Sequence, residues 1–411
     1  MARLTTLLAS VAYAMSGQND DQLEVWKRLQ ADPAILAQLQ NSADNEFQRQ
    51  KELRQRYGEQ VARLALTVHE HRLRAAQKFS RPQQLWLDRQ SLEQATAEVV
   101  ARHKARRFTG FTWDFCCGIG ADAIALGERG DVGAVDIRML NCLRTRWNAE
   151  AYGVADRVHT ICADVADLPA RQACLHIDPD RRAAGRGRAV RIDDYRPGLN
   201  QLRSLIKTFP GGAIKLSPAA DFAGKFPEAE MELISVRGEC KEATIWFGEL
   251  AGSVHHRATV LPSGVSIAAD PLAAWPQFSK LKRFVYDPDP AVVRSGLLDV
   301  TAESLQLHRL DAAEEYLTGD HHVHSPLVTG FEVRDELSHR EKQLRRYFRS
   351  ADYGQLEIKC RRIPVAVDQL RRRLPLDGSA AGVLIVARID GRARAVVCQR
   401  SIGTSADTAE P

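Results

Sequence analysis

Asp114-Phe115-Cys116-Cys117-Gly118-Ile119-Gly120-Ala121-Asp122 is an apolar strand that runs straight into a glycine turn and then into the helical stretch DAIALGER. Glycines 118 and 120 let the backbone turn sharply and approach a ligand, and the helix that follows aims its first amide groups at it. A nucleotide-like cofactor is the expected occupant. A G-x-G pair alone carries little information; the strand, turn and helix around it give it weight.

Downstream, short apolar runs alternate with helical stretches: VGAVD, RVHTICAD, ACLHID, GAIKLS, MELISV and ATIWF. This alternation predicts an α/β fold with a mostly parallel sheet covered on both faces. The last two runs, joined by VRGECKE, fit an antiparallel hairpin closing the sheet edge. Upstream, residues 18–105 have few glycines or prolines and repeat apolar residues every three or four positions, which predicts a helical region. After Pro262 comes a linker-like stretch, SGVSIAADPLAAWPQFSK. A third block follows: helix AVVRSGLLDVTAE, helix RDELSHREKQLRRYFRS, strand GQLEIKCR, helix VAVDQLRRRL and a hairpin turning at Asp390-Gly391. The expected domains are 1–107 (helical), 108–262 (cofactor-binding α/β) and 280–400 (small α/β), with a tail beyond.

The second strand ends in Asp136, 16 residues after Gly120, where a carboxylate can accept hydrogen bonds from both hydroxyls of a ribose. Dinucleotide enzymes share this acid, so Asp136 alone does not name the cofactor. The third strand ends in Asp164, placed to meet an adenine amino group, and the fourth in Asp178-Pro179-Asp180-Arg181-Arg182. Open α/β sheets put their chemistry at the carboxyl ends of central strands. A carboxylate and carbonyls there can orient the lone pair of a substrate amine or ring nitrogen. One of the strand-end acids is expected to be no more than a helix cap.

The chain has 411 residues, enough for two or three cores, and a net charge of +5 with unevenly spread cations. Arg181, Arg182, Arg186, Arg188 and Arg191 follow the fourth strand. The third block adds Arg340, Lys342, Arg345, Arg346 and Arg349, then Lys359, Arg361, Arg362 and Arg371 to Arg373. Together they favour a polyanionic substrate. The run Arg102, His103, Lys104, Arg106 and Arg107 reads equally as the solvated last turn of a helix. Eight cysteines without a CxxC pair suggest a reducing cytoplasm, and Cys116 and Cys117 read as small buried hydrophobes. His321, His322 and His324 lack matching ligand spacing, so no metal site is expected. Leu4 to Met15 reads as a packed first helix rather than a secretory signal, and no run is long enough to span a membrane.

The combination DFCCGIGADAIAL, HIDPDRRAAGRGR, DDYRPGL and AIKLSPAADF resembles a bacterial family of class I methyltransferases with a THUMP-like C-terminal domain. SPLVTGFEV, LRRYFRSADYGQLEIKCR and AGVLIVARIDGRARAVVCQR resemble that C-terminal domain, so the likeness runs from about residue 80 onward. The resemblance implies a Rossmann-like sheet and S-adenosylmethionine at Asp114, Cys116, Gly118, Gly120, Asp136 and Asp164. It also implies Asp178, Pro179, Asp180, Arg181 and Arg182 facing the substrate, and a base in RNA (tRNA or rRNA) as methyl acceptor. Asp180 and Arg181 stand where many amine methyltransferases carry Pro and an aromatic residue, leaving Arg181, Tyr195 or Trp246 to stack on a base. The alternatives are a small-metabolite methyltransferase and a non-catalytic RNA-binding protein on the same fold. A dinucleotide oxidoreductase is disfavoured by Asp164 and the DPDRR motif.

Overall fold

Every residue of Thr112–Phe115 (β1) and Val132–Asp136 (β2) is buried, as strands of a parallel sheet covered on both faces must be. β1 lies between β2 and Cys174–Ile177 (β4), parallel to both, with Phe115 opposite Val135 and Ile177. Val158–Cys162 (β3) flanks β2 and Gly211–Leu216 (β5) flanks β4, again in parallel. The order β3-β2-β1-β4-β5 reverses between β1 and β4, which opens a crevice at the carboxyl ends of those two strands. This is a computed structural model, and it describes residues 20–32, 34–41, 46–168, 172–181 and 190–400. The described residues up to Ala229, with Thr244–Ala251, form one unit; Glu230–Ala243, with those from Gly252 on, form a second.

The first unit opens with Asp20–Ala31 (α1), Ala34–Asn41 (α2), Glu46–Tyr57 (α3) and Glu59–Ala75 (α4), followed by Arg89–Gln94 (α5) and Glu98–Ala105 (α6). Between the strands run Ala121–Gly127 (α7), Met139–Tyr152 (α8) and Leu199–Thr208 (α9). Trp26, Leu29, Leu36, Val61, Ala65 and Val68 form one core that also takes in Trp86 and Trp147 of α8. The N-terminal helices are therefore packed onto the sheet's own helices, each fully buried large side chain contributing about 1.5–3 kcal/mol. α5 begins at a capping box in which Asp88 accepts from Ser91 N and Ser91 Oγ accepts from Asp88 N. Arg144 Nη1 reaches the same Asp88 at 2.9 Å. Neither reading of the 102–107 run, basic patch or solvated last turn, holds for Lys104, which is 1% exposed, because α6 packs its Ala101 and Ala105 against Ala123–Leu126 of α7 and turns Lys104 inward with them.

Glu230–Val236 (β6), in the second unit, leads through Arg237 and Gly238, both at positive φ, into Glu239–Gly248 (β7), whose residues from Thr244 on belong to the first unit. His256–Leu261 (β8) runs parallel to β6, and Val265–Ala269 (β9) pairs antiparallel with β8, Val260 opposite Val265. The stretch expected as a linker thus supplies a strand, because Gly264 at φ 74 returns the chain with its N–H on Val260 O at 2.9 Å. A second sheet has the order β11-β12-β10-β13-β16-β15-β14. Its strands are Phe284–Pro288 (β10), His308–Arg309 (β11), Leu317–Gly319 (β12), Val328–Ser338 (β13), Tyr353–Cys360 (β14), Ala380–Ile389 (β15) and Arg392–Arg400 (β16). Its helices are Pro290–Arg294 (α10), Leu298–Ser304 (α11), Glu341–Ser350 (α12) and Val367–Arg373 (α13). The expected helix over 291–303 is broken at Gly296, φ 79, into α10 and α11. RDELS, expected to open a helix, is the end of β13 paired to β16. The hairpin turns at Asp390-Gly391 as expected, both at positive φ. No described helix is long and apolar enough to cross a membrane.

Candidate functional site

The crevice between β1 and β4 is floored by the glycine turn. Cys116, Gly118 and Gly120 all take positive φ, at 59, 61 and 83°, and a non-glycine residue held there costs about 1–2 kcal/mol. Gly120 N donates to Cys117 O at 2.8 Å and tightens the turn. A Cβ on Gly120 would sit 2.8 Å from Thr145 Cγ2, whereas a Cβ on Gly118 would meet no atom of the described residues within 4 Å. The turn is thus packed beneath Gly120 and open above Gly118. Asp136, at the end of β2, accepts from Gly118 N at 3.0 Å and from Arg138 N at 2.9 Å, one on each oxygen. Burial pushes its carboxyl above the ordinary range, with these amides and Asn141 pulling the other way. The thiols of Cys116 and Cys117 are pushed well up by burial and then by the surrounding carboxylates, Asp136, Asp178, Asp114 and Asp180 for Cys116. Both stay protonated.

The expected strand-end acids meet quite different surroundings. Asp178 follows β4 directly, and its Oδ2 lies 2.5 Å from Lys215 Nζ of β5, with 32% of its side chain exposed. Lys215 also donates to Gln94 O at 3.2 Å. Asp180 exchanges backbone hydrogen bonds with Arg196, and its Oδ1 accepts from Gln94 Nε2 at 3.2 Å. Pro179 between them is buried and Arg181 half-buried; Arg182, Arg186 and Arg188 lie outside the described residues, as does Leu4 to Met15. Asp164 is exposed and caps its own short turn, accepting from Ala166 N at 2.9 Å. Asp114 lies inside β1, 1% exposed, and faces the interior. Trp246 and Tyr195 are 0% and 1% exposed, so neither presents a face on which a base could stack: the indole is enclosed by Phe108 and Arg107, whose guanidinium lies 4.2 Å from its ring.

Beneath the crevice lies a cluster that sequence reasoning missed. Lys104 Nζ is 2.9 Å from Asp122 Oδ1 and 3.0 Å from His176 Nε2, and His176 Nδ1 is 2.7 Å from Asp114 Oδ1. Thr96 donates to the second oxygen of Asp122 at 2.5 Å. An ammonium can only donate, so His176 accepts on Nε2 and donates from Nδ1 to Asp114. Burial alone would raise the Asp122 carboxyl, but the Lys104 and Lys215 ammonium groups and the Thr96 hydroxyl outweigh it and hold it well below the ordinary range. Asp114 is raised, chiefly by burial. Lys104 stands apart from its partners in sequence and carries no local periodicity that marks it as buried.

Residues 110–184, from the edge of β1 through the DPDRR motif, match the family model described as RNA cap guanine-N2 methyltransferase, and residues 328–400 match THUMP domain-like. The chain is 38% identical over 319 residues to an uncharacterized S-adenosylmethionine-dependent methyltransferase of Mycobacterium tuberculosis, found in strains CDC 1551 and H37Rv. The match covers 73% of this chain and 84% of that protein. The chain belongs to the S-adenosylmethionine-dependent methyltransferases. A crystal structure of a candidate methyltransferase from Porphyromonas gingivalis W83 superposes with a TM-score of 0.71 at 17% identity, over 95% of this chain and all of that one. The two share a fold.

The cofactor of this methyltransferase is S-adenosylmethionine, and the residues present fit it. The space above Gly118 admits a ligand against bare backbone. Asp136 spends one lone pair of Oδ2 and two of Oδ1 on Gly118, Arg138 and Asn141, so an acceptor remains for a hydroxyl. Among the methyltransferase's third-block cations, two sets differ in their surroundings. Lys359, Arg361 and Arg362 are taken up by Asp287, Glu315 and Glu357. Lys342, Arg345, Arg346 and Arg349, at i, i+3, i+4 and i+7 of α12, are exposed and have no ion pair among the described residues. Leu344 and Phe348 on the opposite side of α12 are buried against Leu356, Leu384 and Val397. Among the described residues no three His, Cys, Asp or Glu side chains converge as metal ligands.

Proposed function

We propose that this enzyme methylates a base in RNA, tRNA or rRNA, at an exocyclic amino group, with the glycine turn, Asp136 and Asp164 holding the cofactor and the DPDRR motif facing the base. The observation that carries the reading is the carboxylate of Asp178, an acceptor-only group at the mouth of the crevice with one oxygen occupied by Lys215 and the other side partly open. Such a group accepts the N–H of an incoming amine and turns its lone pair inward. Pro179, buried beside it, keeps the loop rigid. Arg181, half-buried beside Asp178, is the planar group left to lie against the base. The bound cofactor supplies the methyl group together with its leaving group, so alignment and removal of one proton are what the protein adds. Asp178 receives that proton or passes it to water.

RNA as substrate is supported by the unpaired cation stripe of α12 inside the stretch that matches THUMP domain-like, and by the RNA methyltransferase description matched at 110–184. The test is transfer of label from S-adenosylmethionine into total RNA. Asp178→Ala is expected to bind cofactor normally and to transfer at least about 100-fold more slowly, while Asp136→Ala fails to bind it. Normal transfer by Asp178→Ala would refute the assignment of the motif.

A further inference from the structure

Gln94, the last residue of α5, reaches both carboxylates of the Asp178-Pro179-Asp180 motif. Its carbonyl oxygen accepts from Lys215 Nζ at 3.2 Å, and that ammonium lies 2.5 Å from Asp178 Oδ2. Its side-chain Nε2 donates to Asp180 Oδ1 at 3.2 Å. The same short segment then reaches beneath the crevice, where Thr96 and Lys104 bind Asp122 at the start of α7. The N-terminal helical segment is therefore wired to the floor of the site at four points, all within the first unit.

A lysine carries a compact charge on a flexible four-carbon stem, so by itself it fixes little. Here the stem is mostly buried, with 14% of the side chain exposed, and the ammonium has a carbonyl on one side and a carboxylate on the other. That geometry pins one oxygen of Asp178, whose side chain stays 32% exposed. Asp180 is pinned in the same way by an amide that can rotate only with Gln94 itself. An exposed ion pair contributes little; this one is largely enclosed and sits on the motif that faces the substrate.

We propose that Gln94 and Lys215 are positioning residues for methyl transfer, aligning Asp178 and Asp180 without touching the cofactor, and that the N-terminal helical segment is a working part of the active site. This rests on the reading of Asp178 as the group that meets the substrate amine. The amine attacks the methyl carbon, the carbon–sulfur bond breaks, and the proton lost by nitrogen leaves by way of Asp178 or water; Gln94 and Lys215 take no part in the covalent change.

The experiment compares the full-length protein with Lys215→Met, Lys215→Arg, Gln94→Leu and Asp178→Ala, measuring equilibrium binding of S-adenosylmethionine, then kcat and KM with total RNA. Lys215→Met is expected to lower kcat by about 10- to 100-fold, and Gln94→Leu by several-fold, with cofactor affinity within about twofold of the parent. Lys215→Arg is expected to recover most of the rate. Gln94→Leu keeps the backbone carbonyl and so tests the contact to Asp180 without emptying the site. Parental kcat in Lys215→Met and Gln94→Leu beside an inactive Asp178→Ala would overturn the positioning role and leave the role of Asp178 standing. Loss of cofactor binding in Lys215→Met would overturn it too. Full activity in Asp178→Ala would remove the reading on which it rests.

Discussion

Two glycines in one turn do different work. Both sit at positive φ, so either alanine substitution strains the backbone by about 1–2 kcal/mol. Gly120→Ala must also push Thr145 aside, its Cβ falling 2.8 Å from Cγ2. Gly118→Ala meets no atom of the described residues within 4 Å, so it is the variant that tests for a ligand on the open side of the turn. Calorimetric titration with S-adenosylmethionine beside a thermal melt separates them. Gly118→Ala is expected to lose cofactor affinity by at least about tenfold while melting only a few degrees lower, at about 2–4 °C per kcal/mol. Gly120→Ala is expected to melt lower still. If Gly118→Ala binds the cofactor as well as the parent, the open side of the turn is not where the ligand lies. The turn at glycines 118 and 120 and the strand end at Asp136 are legible in the chain because both are local demands. Asp114 was not: along a strand alternate side chains face opposite sides, and only the neighbouring strand decides that Asp114 faces His176.

Four elements meet at the buried ammonium of Lys104: α6 supplies it, α7 supplies Asp122, β4 supplies His176 and β1 supplies Asp114. Removing one member of such a pair leaves an uncompensated buried charge and costs about 3–5 kcal/mol. Lys104→Met is therefore expected to melt about 10 °C or more lower at pH 7. The pH dependence has a definite sign. Asp122 is depressed in the folded protein, so its contribution is complete above its unfolded value near 3.8 and is lost as pH falls below that. Asp114 is raised and works the other way, becoming easier to bury as the pH drops. The gap between parent and Lys104→Met is expected to narrow below about pH 4; a gap constant from pH 7 to pH 3 would mean that Lys104 stabilises by packing alone. Helix propensity misled at the element level too. Arg334 to Ser338 suit a helix by composition, but pairing with Arg394 to Val397 draws them into β13, since tertiary contacts override a propensity worth tenths of a kcal/mol per residue.

At the scale of the whole molecule, the glycine turn lies in the first unit and the α12 stripe in the second. If that stripe meets phosphates, each neutralised charge releases a counterion and steepens the salt dependence of RNA binding by about 0.7–0.9 in log–log slope. Replacing Lys342, Arg345, Arg346 and Arg349 by Gln is expected to flatten the slope by about 3, with S-adenosylmethionine binding unchanged. An unchanged slope would take RNA off this helix. The periodicity of apolar runs determined the α/β class, and Gly118 and Gly120 the tight turn after β1, because these are demands each segment makes on its own backbone and burial. The same chain, read alone, could not say which cations stay free, since Lys359, Arg361 and Arg362 look no different from α12's until Asp287 and Glu315 come to meet them. Nor could it say that Lys104 is buried or that Gln94 and Lys215 stand by the motif. Those pairings join residues 18 to 121 positions apart, and a charge goes inside a protein only where the fold has already brought its partner.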